Sequence, residues 1–145
     1  MNKTFVVFVV VGLASIMLAF YGCGHTPVEY NPDFISDPDP LATIEEVIRR
    51  QPPSYQPVNS VEANEKYLQV RQLESGYGPW DRSYYEITRT IYWTDIRSVK
   101  LFKDKVWWAA IYRKSGEISL YVYPIEEKLT KRFVDAVSIM MKRAK

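Results

Sequence analysis

The chain has 145 residues, with 19 Lys and Arg against 17 Asp and Glu, a single histidine and a single cysteine. That length holds one ordinary domain plus a linker. One cysteine excludes an internal disulfide, and the sequence carries no HExxH, no CxxC and no Asp-rich calcium loop to suggest a metal site. Aromatic residues make up 14% of the chain, with 11 Tyr and 4 Trp, a bias toward strands, where such side chains pack on a pleated surface. The net charge of +2 hides an asymmetry: Glu29 to Glu65 holds eight acids and two bases, while Lys66 to Lys145 holds sixteen bases and nine acids. An acidic arm is thus joined to a basic domain. The two halves either serve as solvated surfaces or dock on one another, or the basic half faces an anionic headgroup layer.

The N-terminal stretch reads MNKTFVVFVVVGLASIMLAFYGC, with Lys3 before an apolar run from Phe5 to Gly22 and then Cys23. A basic start, an apolar core and a small residue before a cut form the secretory signal pattern. Leu18, Ala19, Gly22 and Cys23 resemble the lipobox of bacterial lipoproteins, with Phe20 standing where Leu is usual. The resemblance implies cleavage before Cys23 and acylation of its thiol. The protein would then sit at the bacterial cell membrane on a lipid anchor, facing away from the cytoplasm. In a host with two membranes, Gly24 after the cysteine implies the outer one. The alternative is an uncleaved membrane helix, since about 18 apolar residues already span a bilayer. The following GHTPVEYNPD, however, has no Lys or Arg to act as a stop.

The chain divides into a signal segment at 1–22, a Pro-rich acidic tether at 23–57 and a folded domain at 58–145. Seven of the nine prolines fall in the tether, and proline-rich chain extends rather than packs. A short helix is expected near 40–51. Asp39 caps it, Pro40 suits its first position, and Leu41, Ile44, Val47 and Ile48 make an apolar stripe before Pro52–Pro53 stops it. A helix this short is marginal alone, so its stripe is expected to lie on the domain, bringing Glu45 and Glu46 toward the basic surface.

From Val58 the pattern alternates. Strands are expected over Val58–Ala63 and Tyr67–Leu73, with a loop over Glu74–Ser83 marked by glycines and Pro79. The stretch Tyr84–Lys103 divides near Thr94–Asp95 into one strand ending at Trp93 and another over Ile96–Phe102. Val106–Arg113 and Glu117–Tyr123 form a hairpin across Lys114–Gly116. Ile125, Leu129, Phe133, Val137 and Met140 then recur at the helical period, with Glu126 and Glu127 at the start and Lys142 and Arg143 at the end, as the helix dipole favours. Strands followed by one closing helix make an α+β layout.

The segments YLQV at 67–70, IYWTDIRSVKLF at 91–102, WWAAIYRKSG at 107–116 and RFVDAVSIMM at 132–141 resemble bacterial pleckstrin-homology-like (PH-like) domains. The resemblance runs from Val58 to the C-terminus. It implies an antiparallel β-barrel of six or seven strands, six being clear, capped at one end by the C-terminal amphipathic helix. Phosphoinositide binding, which some relatives of that fold perform, would need basic residues in the first strand–turn–strand. Here Ala63-Asn-Glu-Lys66 supplies one Lys beside one Glu, and the carry-over fails.

No catalytic constellation is expected. His25 lies on the tether, and neither a Ser-His nor a Cys-His pairing is available to activate a nucleophile. Asp81, Glu86, Asp95 and Asp104 are separated by strands and read as turn chemistry. Gly76 to Pro79 cannot cradle phosphate, because Pro79 has no N–H and no helix follows. The remaining candidates are for binding. Trp107 and Trp108 must point to opposite faces of a strand, so one enters the core and the other is covered by another element or by a partner. Tyr77 and Trp80 form an aromatic loop, either a contact surface or packed back on the barrel edge. Lys100, Lys103, Lys105, Arg113 and Lys114 gather near adjacent strand ends. The sequence therefore reads as a non-catalytic envelope lipoprotein, without cofactor or metal, that binds a protein or supports an assembly. The alternative is a binder of a small ligand or an anionic lipid headgroup at the barrel mouth and basic rim. Nucleic acid is not expected as a partner outside the cell membrane.

Overall fold

The structure, a computed structural model, describes residues 25–34, 38–76 and 83–145. The segment with the membrane-directed reading, Cys23 included, and the loop with Tyr77, Trp80 and Asp81 lie outside the described residues. No helix among the described residues is long and apolar enough to cross a membrane. In chain order the elements are β1 (Pro27–Val28), α1 (Pro40–Arg49), β2 (Val58–Ala63), β3 (Tyr67–Ser75), β4 (Tyr84–Tyr92), a 3-10 turn at Trp93–Asp95, β5 (Ile96–Lys103), β6 (Trp107–Arg113), β7 (Ile118–Ile125) and α2 (Glu127–Arg143).

All strand pairs are antiparallel, in two sheets of order β2-β3-β4 and β1-β5-β6-β7. The hairpin β2–β3 turns on Asn64, whose side-chain oxygen accepts from the backbone N–H of Lys66 at 2.9 Å and of Tyr67 at 3.0 Å, as turn asparagines do. The ladder between β3 and β4 is unbroken from Tyr67↔Tyr92 to Ser75↔Tyr84, so β3 runs two residues further than its pattern suggested. The sheets change at Trp93, which is 1% exposed and donates its indole N–H to the Asn64 carbonyl at 2.7 Å. Between them lies one apolar core: Val61, Leu68, Val70 and Ile91 from the first sheet, and Leu101, Ala109, Ile111, Leu120 and Val122 from the second.

The α+β architecture is as expected, but among the described residues the strands do not close into a barrel, because no ladder joins the two sheets. Of the four outer edges of these sheets, those of β2 and β7 hold partners other than a strand. Both are occupied by side chains of α1 and the residues just after it. Glu45 accepts the Ala63 N–H at 2.8 Å and Arg49 donates to the Val61 carbonyl at 2.9 Å, both on β2. Gln51 accepts the Tyr123 N–H of β7 at 2.7 Å, while its amide nitrogen donates to the Ile48 carbonyl at 3.2 Å. Backbone groups that would otherwise pair strand to strand are satisfied by a helix.

α1 starts where its sequence says, with Asp39 accepting from the Ala42 N–H at 3.1 Å and Pro40 at the first position. It buries Ile44, Val47 and Ile48 completely in the same core as Phe133, Val134, Val137 and Met140 of α2. Charge adds little to this seat, since Glu46 approaches Arg132 only to 3.9 Å with both partly exposed. Residues before α1 also lie on the body. Pro27–Val28 pairs with Leu101–Phe102, and the Tyr30 hydroxyl donates to both oxygens of Asp135 at 2.9 and 3.0 Å. Burial, and then this bond to a carboxylate, raise the Tyr30 pKa to about 12. At the junction into α2, Ile125 has φ of 70°, a left-handed conformation that costs a β-branched residue.

Because Ile44 is fully enclosed, Ile44→Ala should cost about 2–5 kcal/mol, read as a lowered midpoint of urea unfolding. A loss within about 0.5 kcal/mol, the range of a surface change, would mean that α1 is not part of the core.

Candidate functional site

Alternation along β6 sends Trp107 and Trp108 to opposite faces. Trp107 is half-buried against the main core, with Lys103 Nζ 5.1 Å from its ring centre. Trp108 stands on the outer face of the second sheet, in a separate cluster with Phe102 and Ala110. The register makes this a row. Phe102 is the β5 partner of Trp108, and the two rings stack at 4.0 Å and 7°. Trp108 and Tyr123 of β7 lie 6.0 Å apart at 28°, and Tyr123 stacks on Tyr55 at 5.3 Å and 22°. Tyr121 runs alongside, 6.4 Å from Tyr123. Four nearly parallel aromatic rings thus cross three strands and reach the segment after α1. Trp108 is only 6% exposed, whereas Tyr55 and Tyr121 present 46% and 39% of their surface.

One end of the row carries charge. Asp104, in the turn between β5 and β6, accepts the Trp108 indole N–H at 2.9 Å, and His25 Nδ1 lies 2.9 Å from the same carboxylate oxygen. The His25 ring meets Trp108 edge-on at 5.2 Å. The Trp108 bond, opposed in part by desolvation and aided by His25, holds the Asp104 carboxyl below the ordinary aspartate range. Burial, then the neighbouring Tyr121, Asp104 and Tyr55, push the Tyr123 phenol up. His25, Asp104, Trp108, Tyr123, Tyr55, Lys105 and Val106 together line an open hollow of about 360 Å³. A His–Asp pair lies in it, and the rest of this lining is aromatic but for Lys105 and Val106.

The basic candidates are spread along the hairpin. Lys103 and Lys105 lie at the β5–β6 turn, whereas Arg113 and Lys114 lie at the opposite end, about 23 Å away at strand rise. Lys100 sits between them with its ammonium 4.9 Å from the Tyr112 ring centre. Arg113 is engaged inward, donating to Ser119 Oγ at 2.6 Å and to the Thr90 carbonyl at 3.4 Å. The Lys114 N–H donates to the Asp95 carbonyl at 2.9 Å. A different basic groove, of about 380 Å³, is lined by Arg97, Lys142 and Lys145 with Phe34, Ser98, Val99, Ser138 and Met141. Tyr77 and Trp80 fall outside the described residues, as does Cys23.

His25, Asp104, Tyr55, Tyr121 and Tyr123 did not emerge from the sequence as site residues. His25 reads there as linker and Asp104 as turn chemistry. The β6–β7 register brings Tyr121 and Tyr123 beside Trp108, Asp104 reaches it across the tight β5–β6 turn, and His25 and Tyr55 arrive on segments outside these strands. Among the described residues, no group of three or more His, Cys, Asp or Glu side chains could hold a metal ion.

Asp104 titrates lower in the folded chain than in the unfolded one. Its contribution to stability is therefore present above the unfolded pKa and is lost as pH falls through the folded value. The Trp108 indole N–H resonance should move with that titration on the acid side. In Asp104→Asn the step should vanish; a Trp108 resonance that still titrates there would remove Asp104 from the contact. Comparison with protein-family models, with curated proteins and with solved structures gives no match.

Proposed function

We propose that this protein is a non-catalytic module of the bacterial cell envelope, anchored through acylated Cys23, that uses the aromatic row of its second sheet to hold a protein partner. The row carries the proposal. Tyr and Trp supply large, rigid contact area at small entropic cost and are enriched where proteins dock. Here Tyr55 and Tyr121 offer that area at the surface while Trp108, Phe102 and Tyr123 stiffen it from beneath. We read the fold as an open variant of the PH-like plan, two antiparallel sheets with a closing C-terminal helix, in which α1 takes the place of strand-to-strand closure.

The anchor reading also gives an orientation. His25 is held at the β5–β6 turn by Asp104 and Trp108, and Cys23 is two residues away, about 7 Å of extended chain. Lys103 and Lys105 of that turn would then lie against the headgroups, with the aromatic row running across the strands just above them. A second reading, binding of an anionic lipid headgroup or small anionic ligand, is favoured by the groove that brings Arg97, Lys142 and Lys145 together.

Intact mass of the membrane fraction tests the anchor: loss of residues 1–22 with added acyl chains is expected, and is abolished in Cys23→Ser. A photo-crosslinking residue placed at Tyr121 should give a discrete protein adduct in the envelope. The same residue at Tyr92, exposed on the other sheet at 51%, should give none. Equal labelling from both positions would defeat the docking reading. Salt-sensitive binding to anionic vesicles that is lost in Lys142→Glu with Lys145→Glu would favour the headgroup reading instead.

A further inference from the structure

The outer edges of the two sheets belong to β1 and β7 in one and to β2 and β4 in the other. The edge of β1 is two residues long, and those of β2 and β7 hold Glu45, Arg49 and Gln51. β4 differs. It runs for nine residues without Pro, Gly or Lys, and its ladder to β3 has no bulge. Its one base, Arg89, is held by Glu74 within the same sheet. The usual devices that keep a sheet edge from pairing with another chain are therefore missing from this strand.

The ladder fixes which backbone groups of β4 face away from β3. At its two ends, Trp93 donates its N–H to the Lys66 carbonyl at 3.2 Å and Gly76 donates to the Ser83 carbonyl at 2.9 Å. Hydrogen-bonded and non-bonded pairs alternate along an antiparallel ladder. The odd-numbered residues of β4 therefore bond β3, while Tyr84, Glu86, Thr88, Thr90 and Tyr92 turn their N–H and C=O outward. Thr90 agrees with this phase, since its carbonyl accepts from Arg113 on the second sheet at 3.4 Å. Among the described residues, the outward backbone groups of Tyr84, Glu86 and Thr88 bond no protein group. Side chains here are also uncovered: Tyr84 is 70% exposed, and Ile87 is half-buried outside both core clusters.

We propose that β4 pairs with β4 of a second copy of this chain, antiparallel about a two-fold axis at Ile87. Charge and space select that register. Outward groups must meet outward groups, which leaves Glu86, Ile87 and Thr88 as central positions for the axis. At Glu86, the carboxylate would lie directly opposite its own copy, and like charges so placed are destabilising. At Thr88, the pairing would have to run past Arg113 to Tyr92. At Ile87 it ends at Thr90, where Arg113 crosses the edge. Tyr84 then lies opposite Thr90 of the second copy, an aromatic against a β-branched side chain. Glu86, already met by Arg71 at 3.6 Å and by Asn59 at 2.6 Å, faces the neutral Thr88. Ile87 meets itself in a non-hydrogen-bonded pair, the closer of the two kinds. Two three-stranded sheets thus become one continuous sheet. A single strand pair is a small interface, so the association depends on concentration. It uses the first sheet alone and stands or falls independently of the docking role of the second.

The test is sedimentation equilibrium of the full chain in density-matched detergent micelles, with oxidative crosslinking of Ile87→Cys in a Cys23→Ser background. A monomer–dimer equilibrium is expected. Ile87→Cys should give a disulfide-linked dimer, and Tyr92→Cys, beyond the paired stretch, should give none. Thr88→Pro removes an N–H that faces outward and so leaves the β3 ladder intact. It should weaken dimerisation by about tenfold or more through lost main-chain bonds across the axis. If that variant fails to fold, the Ile87→Cys crosslink on the otherwise unaltered edge carries the test. In the cell envelope the same crosslink should give a band of twice the chain's mass. The proposal is overturned by a monomer at every concentration, or by a dimer that persists in folded Thr88→Pro and is therefore held by another part of the chain. An envelope adduct of Ile87→Cys with a different protein would overturn it as well, giving the edge to a foreign strand.

Discussion

The fold depends on how two sheet edges are satisfied without meeting each other. β2 and β7 each end a sheet, and an unpaired edge exposes a line of N–H and C=O groups. Glu45, Arg49 and Gln51 answer three of these groups from one short helix and its first turn beyond. The apolar side of the same helix fills the core with Ile44, Val47 and Ile48. A ten-residue helix has little stability of its own, and the sheets it joins have no ladder between them. Each part supplies what the other lacks.

That arrangement explains why the two faces of the second sheet differ so much. Its inner face is committed to the shared core, with Leu101, Ala109, Ile111, Leu120 and Val122 enclosed. Its outer face has no helix over it among the described residues, and it is not polar. It carries an aromatic row tied down at the β5–β6 turn by Asp104 and His25. The first sheet's outer face is of the ordinary mixed kind, where Gln69 bonds Thr90 at 3.0 Å and Arg71 approaches Glu86 at 3.6 Å. The aromatic residues of the two outer faces thus differ in arrangement, a stacked row on the second sheet and the edge-on pair Tyr67–Tyr92 on the first.

Much of the fold was legible because local signals and tertiary need agree. Asp39–Pro40 marks the start of α1, Asn64 the first hairpin, Thr94–Asp95 the break between sheets, and the Phe133, Val137 and Met140 spacing the face of α2. The end of α1 was not, because Gln51 leaves the helix to bond a strand 72 positions away. Barrel closure failed as an expectation for the same reason: hydrophobic alternation gives the faces of strands and says nothing about what occupies their edges. The opposed directions of Trp107 and Trp108 follow from strand periodicity alone. Which one would face outward, and that Phe102 and Tyr123 would line up beside it, is a matter of register between strands, and Tyr55 joins the row from the segment after α1. The basic residues illustrate the reverse case, being close in sequence around a hairpin yet divided between its two ends.

The position of α1 in the chain has a consequence for assembly. It precedes β2 to β7, so a chain made or exported from its N-terminus presents the cover before the edges it will cover. When β2 forms, its outer edge can be taken at once by Glu45 and Arg49. β7, the last strand to arrive, finds Gln51 already held nearby. Neither edge need wait exposed for a neighbouring molecule to pair with it. A helix placed at the C-terminus instead would leave both edges bare through most of synthesis.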